Sequence, residues 1–127
     1  MNYDSCPVMR TLEVIGGKWK PIILHYLKEA PRRSGELSRL VPHASSKMLT
    51  QQLRELELDG IVKRAVYSQV PPKVEYSLTP RGETLRPIIQ AMCAWGRENP
   101  KAEPERVARA TRVAGRRPAV SRVRVGA

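Results

Sequence analysis

Residues 45–60 read S-S-K-M-L-T-Q-Q-L-R-E-L-E-L-D-G, a pattern that predicts an amphipathic helix with a marked beginning and end. Leu49, Leu53 and Leu56 follow one another at helical spacing, so one face of this helix is apolar. The serine pair at its start can accept hydrogen bonds from first-turn amides, and Gly60 suits the left-handed residue that ends a helix. The helix is therefore expected to bury its leucines and present its other face to solvent or to a partner.

That other face, called the reading face below, carries an ammonium, a hydroxyl, a carboxamide and a guanidinium in a row. Such groups pair with base edges and phosphates in a DNA major groove. A charged helix face is often only solvated, so the neighbouring elements must distinguish the two interpretations. The residues predicted to read bases are Lys47, Thr50, Gln51 and Arg54, and those predicted to hold phosphates at the helix start are Ser45 and Ser46.

Three shorter helices are predicted ahead of this one. A proline at the first position and a closing Gly-Gly pair delimit a helix over Pro7–Ile15. Residues 18–29 form a helix with apolar residues on more than one side, which predicts that it is the centre of the core. Residues 34–41 form a helix of about two turns, separated by a three-residue corner from the helix at 45–60. This arrangement is typical of a helix-turn-helix, whose second helix enters the major groove.

The pattern changes to strands after Gly60. Residues 61–66 and 74–78 are rich in β-branched side chains, and residues 67–73, with two prolines, suit a hairpin tip. A hairpin directly after a recognition helix is a wing, and this order of elements favours a DNA-reading face over a solvated one. The wing residues predicted to contact the DNA backbone are Lys63, Arg64 and Lys73.

A long last helix is predicted over residues 79–99, with threonine as its cap and proline at its first position. Pro87 lies inside it and should kink it, because proline lacks an amide hydrogen. The apolar stripe of this helix is longer than a small domain needs for its own core. We therefore expect it to form a dimer interface with the helix over Pro7–Ile15; the alternative is packing within its own chain. The stripe comprises Leu85, Ile88, Ile89, Met92 and Trp95.

The 127-residue chain has a formal charge of +11, from 23 basic and 12 acidic residues. This balance favours a polyanionic partner, either nucleic acid or an anionic membrane surface. Residues 101–127 hold 8 of the basic and 2 of the acidic residues. They are predicted to be a disordered basic tail behind one domain of residues 1–100. The tail either adds affinity for phosphates that is independent of sequence, or it has no function.

Several function classes find no support in the sequence. It contains no apolar run long enough to span a membrane and no signal peptide, and its two cysteines are too few for a disulfide scaffold, so we expect a cytoplasmic protein. Its cysteines and histidines share no metal-ligand spacing. Since no nucleophile–base pair, phosphate-binding loop or paired acids stand out either, we expect no metal, no cofactor and no enzymatic activity.

Five motifs follow one another over residues 6–97. They are C-P-V from Cys6, G-G-K-W-K-P-I-I-L from Gly16, K-M-L-T-Q-Q-L-R-E-L-E-L-D-G-I-V-K-R from Lys47, P-P-K-V-E-Y-S-L-T-P-R-G from Pro71 and W-G from Trp95. This series closely resembles the HxlR-type winged-helix transcriptional regulators. The expected fold is mainly α with a small β-hairpin wing (α+β), a winged helix-turn-helix that dimerises through its N-terminal and C-terminal helices. The resemblance also implies a homodimeric bacterial repressor or activator that binds an inverted repeat near its own or a neighbouring promoter.

Two positions depart from the pattern of the family it resembles. Ser34 stands where family members usually have an aromatic residue, and His43-Ala44-Ser45 replaces a corner that is often Gly-Ile-Ser. Both departures are expected to weaken the packing of the first helix of the motif against the second. The lost aromatic burial alone corresponds to about 1–3 kcal/mol. Neither departure touches the reading face.

Cys6 is a candidate redox sensor. It precedes Pro7 at a helix start, where the helix dipole favours the thiolate, and Arg10 one turn on acts in the same direction. Several HxlR-type regulators resemble the chain in having a cysteine here, and some use it to sense oxidants or electrophiles. The alternative is a small buried thiol that only packs. Cys93 is either a resolving partner from the other subunit or an inert filler.

Three hypotheses remain open from the sequence. The first is a sequence-specific transcriptional regulator that binds double-stranded DNA as a homodimer on an inverted-repeat operator. The second is a winged-helix interaction module whose basic surface binds an acidic protein or RNA. The third, compatible with the first, is a sensor that takes a small aromatic effector in a pocket between helices near Trp19, Tyr26 and Trp95.

Overall fold

The computed structural model describes residues 6–102, and in that range six helices and three strands follow one another. The predicted mainly α fold with a β-hairpin wing is confirmed. The elements are α1 (Pro7–Ile15), α2 (Trp19–Leu27), β1 (Arg32–Arg33), α3 (Ser34–Leu40), α4 (Ser46–Leu58), β2 (Val62–Tyr67), β3 (Lys73–Leu78), α5 (Pro80–Glu83) and α6 (Arg86–Glu98).

The core forms around α2, as its apolar pattern predicts. Ile23, Leu24 and Leu27 are each at most 3% exposed, although Leu24 lies off the main stripe of the helix. A helix buried on more than one side needs neighbours on each of those sides, and α2 has α3, α4 and β3 packed against it. This arrangement seats the helix-turn-helix and the wing on one shared core.

The helix α4 begins and ends where the sequence predicts. The hydroxyl of Ser45 accepts a hydrogen bond from the amide of Met48 at 3.1 Å, which caps the first turn. The chain leaves the helix through Gly60, whose φ of 75° is the left-handed conformation that glycine adopts at least cost. The leucines between these ends, Leu49, Leu53 and Leu56, are all buried.

The wing belongs to an antiparallel sheet with the strand order β1-β3-β2. β2 pairs with β3 from Val62↔Leu78 to Tyr67↔Lys73, which confirms the predicted hairpin. β1 was not predicted. It consists of Arg32 and Arg33, which pair with Tyr76 and Glu75 of β3. A strand of two residues is too short to show the alternation of apolar and polar residues by which a strand is recognised in a sequence.

The single helix predicted over residues 79–99 is wrong. The chain forms α5 and α6, separated by a turn at Thr84 and Leu85, where two amides bond three residues back: Thr84 to Arg81 at 3.1 Å and Leu85 to Gly82 at 3.0 Å. Pro87 explains the interruption, since it has no amide hydrogen to continue the helical series. The predicted kink is therefore a full break, placed ahead of the proline.

The chain divides into two units, residues 1–93 and residues 94–127. The second unit is described only through residue 102, so the tail predicted for residues 101–127 lies outside the described part from residue 103 onward. Among the described residues, no helix is both long and apolar enough to cross a membrane.

Candidate nucleic-acid interface

The reading face of α4 is exposed along its whole length. Its four predicted base-reading residues are all exposed, and with Ser46 they line one groove of about 480 Å³. The leucines on the opposite side hold the helix to the core, so the exposed side is free to meet a partner. The residues lining the groove are Ser46, Lys47, Thr50, Gln51 and Arg54.

The structure brings one wing residue to this helix. Arg64 of β2 shares a groove of about 400 Å³ with Thr50, Arg54 and Glu57 of α4, together with Tyr76, its partner across the strands. Lys63 is exposed but precedes Arg64 on the strand, and successive strand residues point to opposite faces. Of the two adjacent wing cations, only Arg64 therefore lies beside the reading face.

Lys73, the third predicted wing residue, lies at the start of β3 in a small cluster of its own. Its Nζ lies 3.7 Å from Oε2 of Glu75 and 4.9 Å from the centre of the Tyr67 ring. The Tyr67 hydroxyl also donates to Glu75, at 3.5 Å. Because part of the charge of Lys73 is already compensated, this lysine offers a phosphate less net charge than Arg64 does.

The cations of the reading face and of β2 form no ion pair with the carboxylates of residues 6–102. The ion pairs found within residues 6–102 involve other basic side chains; Lys47, Arg54, Lys63 and Arg64 take part in none of them. Exposed cations that form no ion pair attract a polyanion over distances of about 10 Å at moderate salt. The arrangement thus provides a helix of suitable chemistry for a DNA groove, flanked by an arginine.

An ion pair that the sequence did not predict anchors the back of this helix. Lys20 of α2 is 8% exposed, and its Nζ lies 2.6 Å from Oε1 of Glu55 on α4. The hydrogen bond from Lys20, and then its charge, hold the pKa of the Glu55 carboxyl below its usual range. The other oxygen of Glu55 accepts from the carboxamide of Gln51 at 3.4 Å. The only signal for Lys20 in the sequence is a lysine within a mainly apolar helix.

Two helices expose apolar side chains instead of charged ones. Val8 and Leu12 of α1 are 61% and 52% exposed, while Val14 and Ile15 of the same helix are buried. On α6, Ile89 is buried, whereas three other members of the predicted stripe are exposed. Those three are Ile88, Met92 and Trp95.

The two cysteines have different surroundings. Cys6 is half-buried directly before α1, and its carbonyl accepts from the amide of Met9 at 2.9 Å. Arg10, expected to favour the Cys6 thiolate, instead pairs with Glu13 at 3.1 Å. Cys93 is half-buried on α6 with its Sγ 3.2 Å from Nδ1 of His25, a contact that the sequence did not predict.

The predicted aromatic pocket is only partly assembled. Tyr26 lines a cavity of about 420 Å³ between α2 and α6, whose other lining residues do not include Trp19. Trp19 instead lies under the ammonium of Lys18, at 4.7 Å from the ring centre, and Trp95 belongs to the second unit and is exposed. The cavity is lined by Pro21, Ile22, His25, Tyr26, Ile89, Met92 and Cys93.

A second, smaller cavity lies at Ser34, where the sequence departs from the family pattern. It measures about 200 Å³ between α3, α4 and β3, and Ser34 is one of its lining residues along with Leu37, Leu53 and Tyr76. Looser packing of α3 against α4 is expected at this place, because serine stands where the family usually has an aromatic residue. Buried Val41 and Ala44 nevertheless keep the corner itself closed. Within residues 6–102, no group of three or more His, Cys, Asp or Glu side chains is arranged to hold a metal ion.

Comparison with known proteins gives one family match and several similar proteins. Residues 14–104 match the family model described as HxlR-like helix-turn-helix. The chain is 55% identical over 96 residues to the uncharacterized HTH-type transcriptional regulator YkvN of Bacillus subtilis strain 168, a match that covers 76% of this chain and 81% of that protein.

Solved structures give the same result. The redox regulator HypR in its oxidized form is similar with a TM-score of 0.74 and 55% identity, over 76% of this chain and 100% of that one. The diamide-treated YodB of B. subtilis is similar with a TM-score of 0.62 and 37% identity, over 76% of this chain and 97% of that one. The predicted winged-helix fold thus agrees with that of the solved regulators.

Proposed function

The chain belongs to the HxlR-like helix-turn-helix family of transcriptional regulators, and from this membership we propose that it binds an inverted-repeat operator in double-stranded DNA as a homodimer. It is a regulator and not an enzyme in this proposal. Since such a protein acts where the chromosome is, the cytoplasm is its proposed location. The observation that carries the proposal is the exposed groove along the reading face of α4. Two of its four predicted base-reading side chains, Lys47 and Arg54, are cations that form no ion pair within residues 6–102.

The dimensions of α4 support its role as the recognition helix. A helix with its side chains is about 10–12 Å across and the major groove of B-DNA is about 12 Å wide, so one helix fills the groove. In this placement Gln51 and Arg54 contact base edges, while the capped start of the helix, Ser45 and Ser46, turns its free amides toward a phosphate. Arg64 then meets the DNA backbone beside the helix.

The exposed apolar side chains of α1 and α6 support the homodimer. Four of these side chains expose apolar area to water: Val8, Leu12, Ile88 and Met92. Exposing apolar area costs a free energy of about 25 cal/mol per Å². A second copy of the chain removes that cost by covering the same residues. A symmetric pair also presents two copies of α4 related by a two-fold axis, which is the symmetry of an inverted repeat.

We also propose that Cys6 switches DNA binding in response to oxidants. The half-buried thiol lies directly before α1, a helix of the proposed interface, so a bond formed there alters how two copies pack. In the reaction, two thiols and one alkyl hydroperoxide give one disulfide, one alcohol and one water. The two electrons pass from the sulfurs to the O–O bond, and both thiol protons leave with the peroxide oxygens. Similarity to a protein named as a redox regulator supports this part of the proposal.

A small aromatic effector is a second candidate regulator. The cavity between α2 and α6 is lined by Tyr26, His25 and apolar side chains, and it has the size of a small-ligand site. Since the cavity includes residues of both α2 and α6, a bound ligand would link the core to a proposed interface helix. A thermal-shift screen with small aromatic compounds measures such binding, and a Tyr26→Ala variant should lose any shift that is found.

A mobility-shift titration tests the proposed function. The probe is labelled duplex from upstream of the chain's own gene, with unrelated duplex and RNA as unlabelled competitors. We expect the specific complex to survive a large excess of both competitors and to disappear in a Gln51→Ala, Arg54→Ala double variant. If RNA competes as well as the specific duplex, the chain is instead an interaction module for RNA. Oxidised wild type measured beside oxidised Cys6→Ser protein tests the switch, because equal losses of binding would exclude Cys6.

A further inference from the structure

Lys20 is a charged side chain in the core beneath the recognition helix. Its side chain is 10% exposed, and its Nζ lies 2.6 Å from Oε1 of Glu55, whose own side chain is 42% exposed. A nearly buried ammonium requires a partner, since its hydration has been removed. Among the described residues that partner is Glu55, so the pair fixes the position of one carboxylate on α4.

Glu55 extends this constraint to the reading face. Its second oxygen, Oε2, accepts a hydrogen bond from Nε2 of Gln51, one turn earlier on the same helix, at 3.4 Å. At 3.4 Å this hydrogen bond is long. Its direction is set by the carboxylate of Glu55, which Lys20 holds in place through the other oxygen. If the carboxamide of Gln51 were turned over, its oxygen would face the carboxylate with no hydrogen between them. The turned-over state is therefore repulsive.

We infer that Lys20 and Glu55 are positioning residues that hold the Gln51 carboxamide with Oε1 toward the groove, so that this position selects a base with an exocyclic amino group. The inference rests on the proposed function, in which α4 enters the major groove. There adenine and cytosine present amino donors, whereas guanine O6 and thymine O4 are acceptors. Without Glu55, the Gln51 carboxamide can adopt either orientation and can therefore bind a base that presents a donor or one that presents an acceptor.

Selection from a randomised duplex library tests this inference, with the full-length protein and sequencing of the bound fraction. The position read by Gln51 is the one at which Gln51→Ala loses preference. At that position we expect wild type to favour adenine or cytosine by about tenfold over guanine and thymine. Glu55→Ala should reduce the preference to within twofold, while leaving the preferences at positions read by other residues unchanged. In the Gln51→Ala background, Glu55→Ala should change nothing further at that position.

A double variant separates positioning from folding. Glu55→Ala alone leaves the Lys20 ammonium without its partner, so Lys20→Met with Glu55→Ala removes both charges together and keeps the core apolar. This protein should fold, as measured by circular dichroism, and still lose the base preference. Lys20→Arg, which keeps the charge, should retain most of it.

The outcomes distinguish the inference from the proposed function. If Gln51→Ala loses one position but neither Glu55→Ala nor the double variant changes it, the positioning role is wrong and the proposed function stands. If Glu55→Ala weakens every position equally, the pair is only structural, and the inference is again overturned. If wild-type protein selects no sequence from the library, the proposed function fails and the inference fails with it.

Discussion

α4 and α1 are both amphipathic helices that bury one face, and they differ in what the other face exposes. On α4 the exposed groove is lined by lysine, threonine, glutamine and arginine, whereas on α1 the exposed side chains include Val8 and Leu12. Amphipathicity alone therefore says which side of a helix faces the core and nothing about its partner. The chemistry of the exposed face indicates the partner: a polyanion for α4 and an apolar surface for α1.

The largest expected effect comes from placing a charge on the apolar face of α1. Leu12→Asp puts a carboxylate where the proposed interface would remove it from water, so the dimer should dissociate. A monomer contacts one half-site, and operator affinity should fall at least 100-fold, which is about 2.7 kcal/mol. Light scattering after gel filtration measures the mass, and a mobility shift measures the affinity.

Leu58→Asp is the matched control for this change, because Leu58 is 80% exposed but lies at the end of α4 and not on α1 or α6. It should leave the mass of the protein unchanged. A Leu12→Asp protein that keeps both the wild-type mass and the wild-type affinity would show that α1 is not the interface.

The second-largest effect on operator affinity is expected from the polar reading face of α4. Arg54→Ala removes a guanidinium that lines both grooves of the reading face, and it should cost about 1–3 kcal/mol of binding and relax sequence preference. Titrations against the operator and against single-base variants of it measure the loss. Arg81→Ala is the control, since Arg81 is exposed on α5, outside the reading face, the wing and the proposed interface helices. Equal losses for the two variants would mean that arginine acts here only through net charge.

The third effect is on the free energy of unfolding and concerns the packing of α3 against α4. Ser34→Phe should fill the cavity of about 200 Å³ between α3 and α4 and stabilise the fold by about 1–2 kcal/mol, because it buries apolar area without displacing a neighbour. Thermal and urea unfolding measure the change. Ser68→Phe, in the exposed wing tip, should give no gain. A loss of stability in Ser34→Phe would mean that the cavity cannot take a ring.

The smallest effect is expected within the wing. Arg64→Ala should weaken binding to all duplexes alike and reduce the slope of log affinity against log salt by about one unit. Lys73→Ala should reduce it by less, because Glu75 lies 3.7 Å from the lysine and already offsets part of its charge. Titrations at four salt concentrations compare the two variants. A larger slope change for Lys73 would place the wing tip, and not the base of the wing, against the DNA backbone.

The elements that sequence predicts well are those with local signals. α1 begins at a proline. α4 is capped by Ser45 and followed by Gly60 with a positive φ, and its leucines mark the buried side of the helix. The exposure of the reading face follows from the same periodicity. These features depend on residues a few positions apart, so a linear pattern contains them.

The features that sequence misses join distant positions. Lys20 meets Glu55 and His25 meets Cys93 only because α2, α4 and α6 pack together, and nothing in either local pattern marks the partner. β1 is visible only through its pairing with β3. The break between α5 and α6 is intermediate: Pro87 predicts a disturbance, but the tight turn ahead of it fixes where the break falls.

The mass of the protein–DNA complex tests the central claim most directly, namely that polar α4 reads DNA while the apolar faces join two copies. The duplex carries two inverted half-sites with centres one helical turn apart, about 34–36 Å. Native mass spectrometry should find two protomers on this duplex and none on a duplex with both half-sites scrambled. One protomer per duplex, or equal binding to the scrambled duplex, would contradict the account.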